Sequence, residues 1–407
     1  MSEVTTILIF YLIAKVSLDL MQIHTIKTAK IDEKSSELLG IDNDDDIKSR
    51  GYNLLKLKLS ILRSIIYVGW VYLLTVGGLV NYISISIGLL ELDNYYVSLF
   101  TILSTFMLFY FSMIPLSYYS TFVIETKYNF NTSSRILFVK DNLISFLMTL
   151  VLIVILSSIF FSIVTYQQVW WILMASTIFL MIIMSIYIYP TYISPMFNKF
   201  NNLENKEIEK EIEDLSEKTD FSIENLYVMD KSKRSKHPNA YFTGFKNNRR
   251  IVFYDTLIEI LSPKEIKAVL AHEIGHYKHN HIAKSLLLST AIIFLGMYLL
   301  SVVINNQNYI ELLNLPFNSA SQLLALVFTY QIVSFFIDPF FSILSRKNEY
   351  QADDFASKQV NKEYLISSLV KLYKSNLTFL IPNKIYAIFY FSHPTVIERI
   401  NNLRNNH

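Results

Sequence analysis

Long apolar stretches recur along most of the chain, and each is about as long as a helix that crosses a bilayer, roughly 20 residues. Seven such stretches lie at Val4–Met21, Ser64–Tyr82, Tyr95–Tyr118, Leu143–Thr165, Val169–Tyr192, Ile282–Ile304 and Ala320–Leu344. Lys15 and Asp19 interrupt the first stretch, but their spacing lets them pair on one helix face. A single stretch could be a buried core helix, whereas seven together predict an all-α polytopic membrane protein.

Basic residues are confined to alternate loops between these stretches. Lys and Arg are frequent in residues 22–63, 119–142 and 193–281 and again from Arg346 onward. They are absent from the loop around Glu91 and Asp93, from the turn Tyr166-Gln167-Gln168 and from residues 305–319. The positive-inside rule therefore predicts a lumenal or external N-terminus, and it places the 193–281 segment and the C-terminal tail in the cytosol.

Composition supports a membrane protein and excludes several other classes. Hydrophobic residues make up 52% of the chain and charged residues 17%, and the mean hydropathy is +0.34. A net charge of +2 gives no reason to expect a nucleic-acid partner. The absence of Cys excludes disulfides, thiolate zinc ligands and a catalytic thiol. Because Met1-Ser2-Glu3 lacks the basic residues of a secretory signal, we expect the first apolar stretch to be retained.

The polar segment between the fifth and sixth stretches has the pattern of a small α+β unit. Leu203–Lys218 is an amphipathic helix with Ile208, Ile212 and Leu215 on one face. Three strands are predicted at Asn225–Asp230, Ala240–Phe245 and Arg250–Tyr254, with a hairpin turn at Asn247-Asn248. We therefore divide the chain into spans one to five (1–192), this cytosolic segment (193–281), spans six and seven (282–344) and a cytosolic tail (345–407).

The cytosolic segment ends in the sequence His272-Glu273-Ile274-Gly275-His276, an H-E-x-x-H pattern. Ser262, followed by a proline and then by Glu265, is a capping box that starts a helix about two turns earlier. On that helix His272 and His276 share one face and can bind one zinc ion, while Glu273 is close enough to hold a water. The motif therefore predicts a zinc hydrolase.

A catalytic zinc site needs a third protein ligand. His279 shares the helical face but lies about 10 Å along the axis from His272, too far to bind the same ion. His281 lies off that face. Both are expected to be surface or interfacial histidines.

Membrane topology selects among the carboxylates that follow the motif. Glu311 is the next acid, but it lies in a loop on the opposite side of the membrane. The chain returns to the cytosol after the seventh span, where Glu349 is the first acid and Asp353 follows four residues later. These two could belong to a charged juxtamembrane helix. The zinc motif on the same side favours Glu349 as the third ligand and Asp353 as the acceptor of a ligand histidine N–H.

Blocks of sequence well beyond this motif resemble one family, the integral-membrane CAAX prenyl endopeptidases, zinc proteases of the endoplasmic reticulum with bacterial relatives. The similarity covers most of residues 120–400 and is weakest in the first 60 residues. The blocks are Ile124-Glu125-Thr126-Lys127-Tyr128-Asn129-Phe130-Asn131, Phe138-Val139-Lys140-Asp141, Tyr189-Pro190, Ile193-Ser194-Pro195-Met196-Phe197, Ser232-Lys233-Arg234-Ser235, Asn239-Ala240-Tyr241-Phe242, Arg250–Leu257, the motif helix, Glu349–Phe355, Ser392-His393-Pro394 and Glu398-Arg399.

The resemblance implies a fold and a role for each site residue. The expected fold is a ring of seven helices around a water-filled intramembrane chamber. The implied zinc ligands are His272, His276 and Glu349, with Glu273 as catalytic base and Asp353 as support. The resemblance further implies His393 and Arg399 as transition-state stabilisers near the metal, and Asn239, Ala240 and Tyr241 as the strand that receives the substrate backbone.

The expected activity is zinc-dependent removal of the C-terminal aaX tripeptide from prenylated CAAX proteins, with a second upstream cut on some substrates. Two alternatives remain from the sequence. One is a broader quality-control protease that cuts non-prenylated or stalled chains. The other is a seven-helix receptor or transporter that holds a structural zinc. The expected location is the endoplasmic reticulum membrane, or the inner membrane in a bacterium, and the sequence leaves the physiological substrate and the oligomeric state open.

Overall fold

The computed structural model describes residues 2–31, 36–37, 39–166, 168–221, 225–243 and 250–405. Its α-helices are α1 Glu3–Thr28, α2 Asn43–Leu74, α3 Leu79–Gly88, α4 Asn94–Tyr119, α5 Arg135–Val164, α6 Trp170–Ile188, α7 Ser194–Phe197, α8 Lys206–Thr219, α9 Asp255–Ile260, α10 Pro263–Lys278, α11 His281–Ile304, α12 Gln307–Leu312, α13 Ser319–Gln359, α14 Lys362–Ser375, α15 Lys384–Tyr390 and α16 Val396–Asn405. The strands are β1 Phe200–Asn202, β2 Asn225–Met229, β3 Ala240–Thr243 and β4 Arg250–Tyr254. Two π-helical turns, Ser120–Glu125 and Tyr189–Ile193, and a 3₁₀ turn, Lys231–Lys233, complete the structure.

Seven helices of the described chain are long and apolar enough to cross a membrane, and each overlaps a predicted stretch. They are α1, α2, α4 with its π turn, α5, α6 with its extension to Phe197, α11 and α13. Their outer faces keep large apolar side chains exposed, for example Phe10 at 63% and Ile136 at 83%. Such surface is stable only against lipid, so the prediction of a seven-span membrane protein is confirmed.

The second span differs from its predicted position. Helix α2 begins at Asn43 and ends at Leu74, whereas the apolar pattern placed the crossing at Ser64–Tyr82. A Cβ on Gly77 would lie 2.8 Å from the carbonyl oxygen of Leu73, and Gly78 has a φ of +73°. These backbone positions require glycine and end the helix, although the residues on both sides are apolar.

The segment 193–281 folds around a four-stranded sheet with the order β1-β2-β4-β3. Strands β2 and β4 are parallel, and the outer pairs are antiparallel. The three predicted strands are confirmed, and β1 was not predicted. The predicted turn at Asn247-Asn248 and the end of the second predicted strand, beyond Thr243, lie outside the described residues. Among the described strands β3 pairs only with β4, so it lies at one edge of the sheet.

Helix α8 covers the motif helix α10 with the face that the sequence pattern predicted. Ile208, Ile212 and Leu215 are buried in one apolar cluster together with Phe253 and Leu270. This cluster supports α10 from the side away from the membrane helices. The position of the motif therefore depends on an ordinary hydrophobic core.

Helix α13 joins the membrane part to the site. It has 41 residues and is therefore about 60 Å long at 1.5 Å per residue. Both Glu349 and Asp353 lie on it, so no hinge separates them from the seventh span. The boundary that we placed between residues 344 and 345 falls inside this single helix.

Helices α10 and α13 approach each other most closely at Gly275. A Cβ on Gly275 would lie 3.0 Å from the Cα and from the carbonyl oxygen of Ala352, and 3.2 Å from the Cβ of Phe355. The two backbones therefore touch here with no side chain between them. This contact brings residues 272–276 beside residues 349–353.

We expect Gly275→Ala to destabilise the protein by about 1–3 kcal/mol, because the added methyl overpacks the helix contact. Gly296→Ala on α11 is the matched control, since nothing lies within 4 Å of its Cβ position. Both changes improve helix propensity by about 1 kcal/mol. Thermal unfolding in detergent measures the difference, and an equal or higher midpoint for Gly275→Ala would show that the contact is not tight.

Candidate metal centre

The start of α10 is fixed by its capping box and by a contact with α14. The backbone N–H of Ser262 donates to Glu265 Oε2 at 2.7 Å. The same carboxylate accepts hydrogen bonds from Ser367 at 2.6 Å and from Lys371 at 2.7 Å. These polar contacts lower the pKa of Glu265 although burial raises it, so the cap stays ionised at neutral pH. The helix that carries the motif is thus held at its first turn.

Three side chains converge at the other end of this helix, namely His272, His276 and Glu349. The Nε2 atoms of the two histidines are 3.2 Å apart. Glu349 lies 3.4 Å from His272 Nε2 through Oε2 and 3.3 Å from His276 Nε2 through Oε1. The structure therefore brings the three predicted ligands together.

This arrangement fits a tetrahedral divalent metal ion. Bonds of about 2.0–2.1 Å at tetrahedral angles separate neighbouring ligand atoms by about 3.3 Å. The observed separations of 3.2–3.4 Å match that value. Glu349 Oε2 is fully buried and has no hydrogen-bond partner among the described residues, as expected for an atom that faces a cation. Two imidazoles and one carboxylate are a donor set that zinc prefers.

A buried ion-pair network binds His272 at Nδ1, the ring nitrogen that faces away from the other two candidate ligands. Asp353 Oδ1 accepts a hydrogen bond from His272 Nδ1 at 2.9 Å. Arg399 binds the same carboxylate in a bidentate pair, with Nε to Oδ2 at 2.8 Å and Nη2 to Oδ1 at 2.6 Å. Arg399 Nη1 also lies 3.5 Å from Glu349 Oε2. The predicted contact between Asp353 and a ligand histidine is present, and it leaves His272 Nε2 directed at the metal position.

The groups around His272 have opposite effects on its pKa. Burial and the guanidinium of Arg399 lower the pKa of His272, but its contacts with Asp353 and Glu349 outweigh them and raise the pKa to about 8. A proton on this imidazole is thus favoured at neutral pH and competes with a metal ion for Nε2. A metal ion that binds at Nε2 must displace that proton.

His276 has a supporting chain that sequence reasoning missed. His276 Nδ1 lies 3.0 Å from His281 Nδ1, and His281 Nε2 lies 2.9 Å from Gln351 Oε1. One tautomer assignment satisfies every contact: His276 donates from Nδ1 to His281, and His281 donates from Nε2 to Gln351. This assignment leaves His276 Nε2 free as a ligand atom.

His281 reaches this position because the helix breaks between α10 and α11. Asn280 adopts the left-handed conformation with a φ of +55°, which turns the chain back towards His276. An unbroken helix would have placed His281 off the site, as the spacing suggested. The Asn at position 280 was the available signal, since Asn tolerates positive φ. His279 is outside the group of donor atoms and stacks on His281 with the ring centroids 5.5 Å apart.

All but one of the remaining predicted residues line a cleft of about 530 Å³ over the candidate ligands, and the exception is Tyr241. Glu273, Asn239, Ala240 and His393 all face this space. His393 Nε2 lies 3.3 Å from Glu349 Oε1, and its side chain is 62% exposed. Desolvation in the cleft lowers the pKa of His393, and Glu349 acts in the opposite direction. A neutral imidazole therefore stands beside the ligands at neutral pH.

The start of strand β3 forms one wall of the cleft. The carbonyl of Asn239 accepts a hydrogen bond from the N–H of Tyr254 at 3.0 Å, which ties this segment to β4. Two residues earlier, His237 is held between Glu125 at 3.2 Å and Asn376 at 2.7 Å. The free edge of β3 thus starts beside the candidate metal site and is anchored to a membrane helix.

Seven candidate spans, an H-E-x-x-H helix and a carboxylate ligand from a later helix together define a membrane-embedded metallopeptidase. Family models agree: residues 202–407 match Peptidase family M48, and residues 22–199 match the model described as "CAAX prenyl protease N-terminal, five membrane helices". The chain belongs to the CAAX prenyl protease 1 family of M48 metallopeptidases.

Individual relatives extend this similarity over nearly the whole chain. The CAAX prenyl protease 1 homolog of Dictyostelium discoideum is 36% identical over 301 residues, which is 71% of this chain and 69% of the relative. The homolog of Taenia solium is 30% identical over 93% of this chain and 91% of its own. The crystal structure of S. mikatae Ste24p superposes with a TM-score of 0.90 at 29% identity and covers 99% of both chains.

We expect His281→Ala to weaken metal binding by about 10–100-fold, because His276 would lose the acceptor that orients its ring. His279→Ala is the control, since His279 lies on the same turn but outside the donor group. Competition with a fluorescent zinc chelator measures both affinities on purified protein. Equal affinities for the two variants would contradict the role of His281.

Proposed function

We propose that this chain is a zinc endopeptidase that removes the C-terminal aaX tripeptide from prenylated CAAX proteins, with a second upstream cut on some substrates. The observation that carries the proposal is the trio His272, His276 and Glu349, whose ligand atoms lie within 4.8 Å of one another. The relatives named CAAX prenyl protease 1 support the choice of substrate. Zinc is the metal that the family and the donor set favour.

The bound ion would supply Lewis-acid chemistry, by making water more acidic and by polarising the substrate carbonyl. Glu273 is the general base in the proposal. It follows His272 on the helix and faces the cleft, so it can take a proton from the attacking water and pass it to the leaving amine.

His393 and Arg399 have different roles in the proposal. His393 faces the cleft and can donate an N–H to the negative oxygen that develops on the carbonyl carbon. Arg399 is buried with 9% exposure. Its Nε and Nη2 bind Asp353, and its Nη1 lies 3.5 Å from Glu349 Oε2. We assign Arg399 and Asp353 to positioning His272 and to balancing the charge of Glu349, rather than to contact with substrate.

The substrate peptide is proposed to add to the sheet along β3. An edge strand offers unpaired backbone groups, so an extended peptide can bind it without sequence specificity. Asn239 and Ala240 line the cleft beside His272 and Glu273, and Tyr241 follows on the strand. A peptide in this position would carry its scissile carbonyl past the metal site.

The proposed location is the endoplasmic reticulum membrane of a eukaryote, or the inner membrane of a bacterium. The alternating loop charges support a lumenal N-terminus and a cytosolic metal site. A water-filled chamber inside the ring of helices remains part of the proposal. Prenylated proteins arise in the cytosol and partition into the bilayer through their lipid, at about 0.8 kcal/mol per buried CH₂. A cytosolic site between membrane helices suits such substrates.

The test is cleavage of two matched CAAX peptides, one farnesylated and one unmodified, by zinc-loaded protein in detergent. We expect the farnesylated peptide to be cut between the modified Cys and the following residue, and a chelator to abolish the cut. Equal cleavage of both peptides would favour the quality-control alternative. A farnesylated peptide left intact, while a reference prenyl protease cuts it, would refute the proposal.

We expect Glu273→Gln to lower kcat by at least about 100-fold while zinc stays bound, because the base is lost and the ligands are not. His272→Ala is expected to lose both zinc and activity. Metal analysis by mass spectrometry and a single-turnover assay on the same samples separate the two effects. Retained activity in Glu273→Gln would instead point to a structural zinc.

A further inference from the structure

A second cavity of about 870 Å³ lies between α6 and α11, on the side of the sheet that faces the membrane helices. Apolar side chains form most of its wall, among them Phe179, Ile186, Leu286 and Leu287. Its volume lies in the range of about 300–1,000 Å³ that is usual for small-molecule sites. It shares no lining residue with the metal cleft.

Helices α6 and α11 contact each other beyond the end of this cavity. At their far end Trp171 and Tyr298 are in contact, with ring centroids 5.2 Å apart. The cavity lies between their other halves, which join the sheet unit. Leu287 is 75% exposed and Tyr189 is 55% exposed, so one side of the space opens outward from the helices. A chain of apolar groups could therefore enter from the bilayer.

The cavity adjoins the metal cleft along two elements. On β3, Ala240 lines the cleft and Tyr241 lines the cavity. On α10, Tyr277 lines the cavity directly after the ligand His276. Neighbouring side chains of an extended strand point to opposite faces, and a peptide added to β3 shares that alternation. One of its side chains can then enter the cavity while the backbone stays at the cleft.

The charged group of the cavity lies at its sheet end. Lys231 places its ammonium 5.9 Å from the ring centre of Tyr254, and Tyr241 also lines this end. The other end, between α6 and α11, is mostly apolar, with the hydroxyls of Ser185 and Thr290 as its polar groups. A ligand that fits has a peptide-like part next to the sheet and a hydrocarbon part between the helices.

We propose that this cavity between α6 and α11 binds the isoprenoid chain of the substrate while the attached peptide lies along β3. The inference rests on the proposed function. In this proposal residues 179–190 and 282–290 of the protein recognise the lipid, so its affinity does not come from the surrounding bilayer alone. Each buried CH₂ strengthens binding about fourfold, so the cavity makes the lipid a determinant of kcat/KM.

The first test fills the cavity with Ala283→Trp, since Ala283 lines its wall. Ala291→Trp on the same helix is the control, because Ala291 is exposed and outside the lining. We expect Ala283→Trp to lower kcat/KM for a farnesylated CAAX peptide at least 10-fold relative to the control. A geranylated peptide, shorter by one isoprene unit, should lose less. Equal loss for both peptides, or no loss, would overturn the proposal.

A second measurement does not depend on turnover. A farnesylated peptide with a diazirine at the end of its lipid is photolysed on the Glu273→Gln variant, and the labelled residues are mapped by mass spectrometry. We expect labels in residues 179–190 and 282–290 that excess farnesylated peptide displaces. Labels outside these two segments would overturn the proposal. It would also be overturned if a phospholipid probe labelled the two segments and the farnesylated peptide did not displace that probe. Failure of the wild type to cut the peptide would refute the proposed function, and the labelling would still locate the lipid.

Discussion

The close contact between α10 and α13 at Gly275 is the constraint on which the metal centre depends. One helix supplies two ligands and the other supplies the third, and no loop adjusts the distance between them. With the backbone of Gly275 against that of Ala352, the three ligand side chains reach the separations that a tetrahedral ion requires. A side chain at this contact would push the helices apart and separate Glu349 from the two histidines.

Burial of the ligands creates an electrostatic problem that the surrounding residues solve. Glu349 and Asp353 are almost completely buried, and isolated carboxylates in such a place are strongly unfavourable. Arg399 lies between them and neutralises part of their charge. Replacing this network by apolar side chains could give a more stable fold. Its presence is better explained by the orientation that it imposes on His272.

The membrane part and the part built around the sheet form one unit because α13 belongs to both. A helix of 41 residues carries the third ligand directly from the seventh span, and α11 begins three residues after the end of the motif helix. The site is therefore positioned by membrane helices on two sides and by the sheet on a third. This arrangement explains why a cavity between α6 and α11 can lie one residue away from the metal cleft along β3.

Several features followed from the sequence alone because they depend on neighbours within one helical turn or on local polarity. The capping box, the pairing of His272 with His276 and the seven apolar spans are of this kind. Glu349 could be selected only because loop charges placed it on the same side of the membrane as the motif. A strand at Ala240–Phe245 was predicted from the sequence, and the resemblance supplied its expected role with substrate, whereas its place at the sheet edge came from the structure.

Tertiary structure decided the rest, because those features join segments that are distant in the chain. The contact of His281 with Gln351 spans 70 residues and depends on a backbone turn at Asn280. The binding of Asp353 by Arg399 spans 46 residues. Local patterns report propensity and polarity, whereas such contacts depend on how whole helices pack. The sequence determined which residues could hold a metal, and the packing of α10 against α13 decided that their donor atoms lie within 4.8 Å of one another.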